Sequence, residues 1–129
     1  MLADVDREYL EKAGLPYELT LEGQTVLLVL TDYKLPVGYV PQVVDMLLRL
    51  PLGFPDVPPD MYWLHPFVAY ADGSTPPATD VHEVIGDRTW QRWSRHLAHA
   101  WRPGIDCLQT YLRLIRTDLE AAAPKEATA

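Results

Sequence analysis

A chain of 129 residues with 48% hydrophobic and 22% charged side chains has the size and composition of one ordinary domain, which excludes a two-domain enzyme and a disordered chain. Eleven Lys and Arg against 18 Asp and Glu give a net charge of −7, a field that repels phosphate backbones and anionic bilayers and argues against nucleic acid or a membrane as primary partner. One cysteine, Cys107, excludes an internal disulfide and a thiol-based structural zinc.

Charges at Asp4, Asp6 and Arg7 fall where a signal peptide needs an unbroken apolar stretch. The longest strongly apolar run, Val26 to Leu30, is too short to cross a bilayer, so a cytoplasmic location is expected. Asp4 is expected to cap a helix over Val5–Ala13, in which Val5, Tyr9, Leu10 and Ala13 fall at helical spacing ahead of Gly14 and Pro16. Tyr17–Leu21 alternates as a half-buried strand, Glu22-Gly23-Gln24 turns, and Thr25–Thr31 reads as a second strand buried on both faces. Gln42–Leu50 fits helical spacing as well as strand, and continuity from the hairpin favours a third strand. Pro51–Pro59 is read as a proline turn held by Phe54 against the core, followed by a fourth, aromatic strand over Asp60–Leu64. Residues 67–89 carry Gly73, Ser74, Pro76, Pro77 and Gly86 with few apolar anchors and are expected to form a long surface loop of the functional kind. After Pro103-Gly104, an apolar stripe of Ile105, Leu108, Tyr111, Leu112, Ile115 and Leu119 marks an amphipathic helix ending at Ala123. The expectation is a single α+β domain over 1–123: helix, four-stranded antiparallel meander, long irregular active-site segment and helix, with 124–129 as a frayed tail.

The charges are unevenly spread. Residues 1–87 hold four basic and 14 acidic side chains, whereas residues 88–129 hold seven basic and four acidic ones. Arg88, Arg92, Arg95 and Arg102, with His96 and His99, form either a solvated basic face or a docking surface for an acidic partner.

Several segments, in order, resemble the ubiquitin-conjugating enzyme fold. Phe54-Pro55-Asp56-Val57-Pro58-Pro59 is similar to that family's Tyr-Pro-Phe-x-Pro-Pro turn, Trp63-Leu64-His65-Pro66 to the strand entering its His-Pro-Asn motif, and Trp101-Arg102-Pro103 to its Trp-Ser-Pro. Pro58-Pro59-Asp60-Met61, Trp90–His96 and Trp101–Asp106 resemble more narrowly the prokaryotic family E branch. The resemblance implies a carrier that accepts a ubiquitin-like protein from an adenylating activating enzyme and passes it to an amine, with a deconjugating metallopeptidase in the same pathway and no cofactor or metal. Two features depart from the pattern: no cysteine precedes Trp101, and Phe67 stands where the asparagine of His-Pro-Asn would lie.

Ser94, seven residues before Trp101, stands close to the position of the missing nucleophile. As an acyl acceptor it would form an oxyester and need a base within hydrogen-bonding reach. His96 is the nearest candidate base in sequence, with His65, His82 or His99 reaching it through folding, and Arg95 would steady the oxyanion. The plainer reading makes Ser94 the cap of a short helix starting at Arg95, and His65 a residue that only orders the His-Pro turn. Cys107 follows the tryptophan and reads as a small buried hydrophobe. Asp80, His82, Glu83 and Asp87 match no metal-ligand spacing and read as a solvated acidic segment. Two rival functions stay open: an inactive adaptor of the same fold, and a small serine hydrolase, which lacks the glycines of a nucleophile elbow.

Overall fold

The computed structural model describes residues 2–124. The first helix, α1 (Asp4–Lys12), starts one residue earlier than expected: its N-cap is Ala3, and Asp4 stands in the first turn beside Asp6, where carboxylates oppose the positive end of the helix dipole. Asp4 pairs with Arg7 one turn on instead of capping the helix. The chain then forms the expected hairpin, β1 (Tyr17–Glu22) against β2 (Thr25–Lys34), registered from Tyr17↔Leu30 to Glu22↔Thr25. Gly23 sits at the turn with φ 62°, a left-handed value glycine adopts without steric cost. After β3 (Tyr39–Val40) comes β4 (Val43–Leu50), so the ambiguous third segment is a strand, and then β5 (Tyr62–His65).

The four-stranded meander and the long loop both need correction. Residues 67–89 contain β6 (Ala69–Tyr70), β7 (Val81–Ile85) and the start of β8 (Arg88–Trp93). The main sheet has six strands in the order β1-β2-β4-β5-β8-β7, with antiparallel pairing throughout. Strand β7 lies at the sheet edge with Val81 and Val84 exposed, which is why its sequence lacks apolar anchors. The last helix, α2 (Leu108–Ala122), begins after Ile105, which is 65% exposed and does not belong to the apolar stripe. Residues 125–129 of the expected tail lie outside the described residues.

Each face of the sheet carries its own buried cluster. Leu28, Leu30, Met46, Leu48, Tyr62, Leu64 and Trp93 meet Leu10 of α1 and Leu108, Tyr111, Ile115 and Leu119 of α2 in the main core. Alternate residues point the other way, so Leu27, Leu47, Trp63, Ile85 and Trp90 form a smaller cluster on the opposite face. The arginines Arg49 and Arg88 lie over Trp63 and Trp90, at 5.7 and 4.4 Å from the ring centroids. A separate ribbon pairs β3 with β6, and its tyrosines close the end of α2: Tyr39 Oη donates to the Leu119 carbonyl and Tyr70 Oη to that of Ala122, both at 2.6 Å.

The other end of α2 is closed by α1. Buried Asp6 accepts the Leu108 N–H through Oδ1 at 3.1 Å, while its Oδ2 has no partner. Burial raises the Asp6 pKa above the ordinary 3.8, and the Leu108 N–H opposes this in part. A raised folded-state pKa means that the folded chain keeps a proton the unfolded chain has released. Stability therefore falls as pH rises from about 3.8 through the folded value. Urea unfolding across that window is expected to show this fall in the native protein and not in Asp6→Asn, which keeps an acceptor for Leu108 without the charge. Identical pH profiles for the two proteins would remove Asp6 as the cause.

Candidate functional site

Strand β8 delivers the chain to Ser94 and Arg95, and the link between them is held on both sides. The Ser94 N–H donates to the Ala78 carbonyl at 3.0 Å, and the Met61 N–H donates to the Arg95 carbonyl at 3.1 Å. Both outer partners are left-handed, Ala78 with φ 57° and Met61 with φ 63°. Such a backbone costs a non-glycine residue on the order of 1 kcal/mol and persists only where its surroundings over-determine it. Strain is thus concentrated around the half-buried Ser94.

Ser94 Oγ accepts from Arg92 Nε at 3.0 Å, and Arg92 Nη1 also reaches Glu83 Oε1 at 3.2 Å. The same Glu83 oxygen accepts the Trp63 indole N–H at 3.1 Å. The structure therefore joins Ser94 to Arg92 and Glu83. The candidate bases lie elsewhere. His96 Nδ1 sits 3.1 Å from Asp60 Oδ1 on the exposed surface. His65 Nδ1 lies 3.0 Å from the Thr89 carbonyl, beside Trp90. The β5–β8 pairing sets Tyr62 opposite Trp93 and Leu64 opposite Gln91, which leaves His65 about 14 Å along the sheet from Ser94 at roughly 3.4 Å per residue. His82 stacks on Phe67 with ring centroids 4.0 Å apart, and His99 is exposed in a turn. Among the described residues, no histidine hydrogen-bonds Ser94.

Arg95 is held inward. Its Nε donates to both Asp118 carboxylate oxygens at 3.2 and 2.9 Å, Nη1 donates to the Pro77 carbonyl at 2.6 Å, and the guanidinium lies 5.1 Å from the Trp93 ring centroid. No helix starts at Arg95, since residues 94–98 have no regular structure. The other arginines of the basic stretch also have acid partners: Arg88 with Asp45 at 2.8 Å, Arg92 with Glu83, and Arg102 with Asp106 at 3.1 Å. The Arg102 bonds hold the Asp106 carboxyl below the usual range. Cys107 is half-buried at the start of α2, where its N–H donates to Thr110 Oγ1 at 3.3 Å.

Sequence reasoning did not single out Gln91. It is 2% exposed, and its amide pairs with both backbone groups of Val68: Oε1 accepts the Val68 N–H at 2.9 Å and Nε2 donates to the Val68 carbonyl at 3.0 Å. Oε1 also accepts the Trp93 indole N–H at 3.2 Å. An amide from β8 thus fixes the backbone just beyond His65-Pro66-Phe67, beside a cleft of about 300 Å³ that Phe67, Thr75, Asp80 and His82 help to line. A polar residue between two tryptophans in a strand was the available signal. Among the described residues, no three His, Cys, Asp or Glu side chains gather as metal ligands.

The family model for prokaryotic E2 family E matches residues 2–122. The chain belongs to this family. No curated protein and no solved structure matches it. The α+β architecture, an antiparallel sheet with a helix near each end of the chain, is compatible with an E2-like fold. Membership of prokaryotic E2 family E places the chain, at a coarse level, in ubiquitin-like conjugation, whose general partners are a ubiquitin-like protein and its activating enzyme. Within this family E chain the site around Ser94 rests on an arginine and a glutamate. Among the described residues, no helix is long and apolar enough to cross a membrane.

Proposed function

We propose that this family E protein serves ubiquitin-like conjugation as an adaptor, binding a ubiquitin-like protein or its activating enzyme without accepting the modifier covalently. The observation that carries this reading is the bonding of the Ser94 hydroxyl. A serine attacks a carbonyl at neutral pH only when a base takes its proton. Ser94 Oγ instead accepts from a guanidinium, His96 is engaged by Asp60, and Arg95 is committed to Asp118 and Pro77. The one thiol, Cys107, is half-buried and begins a helix beyond the tryptophan.

A second reading keeps Ser94 as the acceptor. What favours it is the strained clamp of Ala78 and Met61, and the Arg92 Nε–H at 3.0 Å, which would steady negative charge on oxygen. Ser94 Oγ would then bond to the carbonyl carbon of a thioester between the modifier and the activating enzyme, the carbon–sulfur bond would break with that enzyme's thiolate as leaving group, and the serine proton would pass to His96, freed from Asp60. Arg95 would act only by holding the Ser94 backbone, and His65 by ordering its own turn.

Intact mass after reaction with ATP, an activating enzyme and a ubiquitin-like protein from the same organism separates the two. The adaptor reading expects an unchanged mass, with binding that survives in Ser94→Ala and Cys107→Ala. An adduct that resists reducing agent, yields to hydroxylamine and disappears in Ser94→Ala would overturn it in favour of the oxyester.

A further inference from the structure

Six of the eight arginines, Arg7, Arg49, Arg88, Arg92, Arg95 and Arg102, sit in ion pairs. The basic side chains left without a carboxylate within 4.0 Å, among the described residues, are Lys12, Lys34, Arg113 and Arg116. Their placement is not scattered. A groove of about 520 Å³ runs between the end of α1, the end of β2 and the middle of α2, and Lys34, Arg113 and Arg116 line it. Lys12 stands in the last turn of α1, next to the lining residue Ala13. The apolar part of the groove is made by Tyr9, Leu15, Tyr33 and Leu112. Arg116 is oriented by its bond to the Lys34 carbonyl at 2.8 Å and lies 6.0 Å from the Tyr33 ring centroid. Asp32 is the acid among the lining residues.

We infer that this groove docks an acidic segment of a partner protein, one that carries an aliphatic or aromatic side chain as anchor. Uncompensated positive charge around a low-dielectric cleft attracts carboxylates more strongly than the same charge on an open surface, and the apolar floor rewards a buried anchor. The cations are spread over three elements, which suits several carboxylates along a segment better than one compact anion. Extended polyanions fit poorly, because nucleic acid or an anionic bilayer must approach over much of a surface whose net charge is −7. A confined segment meets the local field alone. The inference does not depend on whether Ser94 accepts a modifier.

The test is an NMR titration of the full chain with a synthetic peptide of Asp and Glu flanking a central Leu-Phe pair. Signals of Tyr9, Tyr33 and Leu112 are expected to move, and affinity to fall about tenfold in Lys34→Glu/Arg113→Glu, a change of roughly 1.4 kcal/mol. It should also fall with added salt. Both replaced side chains are exposed, so the unfolding midpoint should hold and tie the loss to charge. Undiminished binding by the double variant would overturn the inference, as would signal movement confined to other surfaces. Tighter binding of an oligonucleotide or of anionic vesicles would overturn it too, and so would self-association that occupies the groove.

Discussion

Asp118→Ala is expected to lower folding stability by about 3 kcal/mol, among the largest losses any single polar change would cause here. Asp118 sits on α2 and reaches across to the sheet, where it accepts the Tyr62 phenol at 2.7 Å and both bonds from Arg95 Nε. Tyr62 is fully buried and the Arg95 side chain is 13% exposed. Removing the carboxylate leaves a buried phenol without an acceptor and a half-buried guanidinium without a counter-charge, and water replaces neither partner well. Burial, with Asp118 next, pushes the Tyr62 phenol above its ordinary value, so it stays a donor throughout the working pH range. Asp118→Asn keeps an acceptor but removes the charge, and should cost about half as much. Urea unfolding of the two variants checks this, and a loss below about 1 kcal/mol in Asp118→Ala would mean that the network is not what holds α2 to the sheet.

The second large effect concerns Gln91→Leu, expected to cost about 3 kcal/mol or more, because it strips partners from the Val68 N–H, the Val68 carbonyl and the Trp93 indole at once. Gln91→Glu provides the finer test. It keeps an oxygen for the Val68 N–H but sets a buried carboxylate against the Val68 carbonyl, so its deficit should shrink on acidification as that carboxylate gains a proton. The loss should reach the neighbouring turn as well. Phe67 precedes Val68 and stacks on His82, so His82 ring signals are expected to shift in Gln91→Leu even under fully folded conditions. An unmoved His82 spectrum would show that Gln91 supports the core without shaping the cleft.

Much of the fold can be read from local pattern. The β1–β2 hairpin announces itself by alternation around Gly23, and α2 by a stripe that needs only Leu108, Leu112, Ile115 and Leu119 to be recognised. Strand β7 is harder to see because three of its five residues, Val81, His82 and Val84, are exposed, and an edge strand has no call for an apolar face. Its signal was the Gly86-Asp87 turn between Val81–Ile85 and Arg88–Trp93, crowded by the prolines and glycines upstream. The site follows the same division. Arg92 and Ser94 meet because they are two residues apart, a local relation. Asp118 meets Tyr62 across 56 residues, and Gln91 meets Val68 across 23, so neither role has a local signature. The basic stretch shows the complementary failure: four arginines close in sequence read as a patch, yet Arg88, Arg92 and Arg95 find their acids on other elements through folding, and Arg102 pairs with Asp106 four residues on.

The tyrosines of the β3–β6 ribbon give the molecule a latch. A helix C-terminus usually frays because its last carbonyls lack donors. In α2 two of those carbonyls are taken by phenols from a ribbon far away in sequence, Tyr39 some 80 positions before Leu119 and Tyr70 some 52 before Ala122. Unwinding the final turn therefore strands both hydroxyls, and peeling the ribbon away exposes the helix end. The two parts are expected to open as one cooperative unit, so their slowest amide protons should exchange at a common rate instead of following the usual gradient from helix tip to middle.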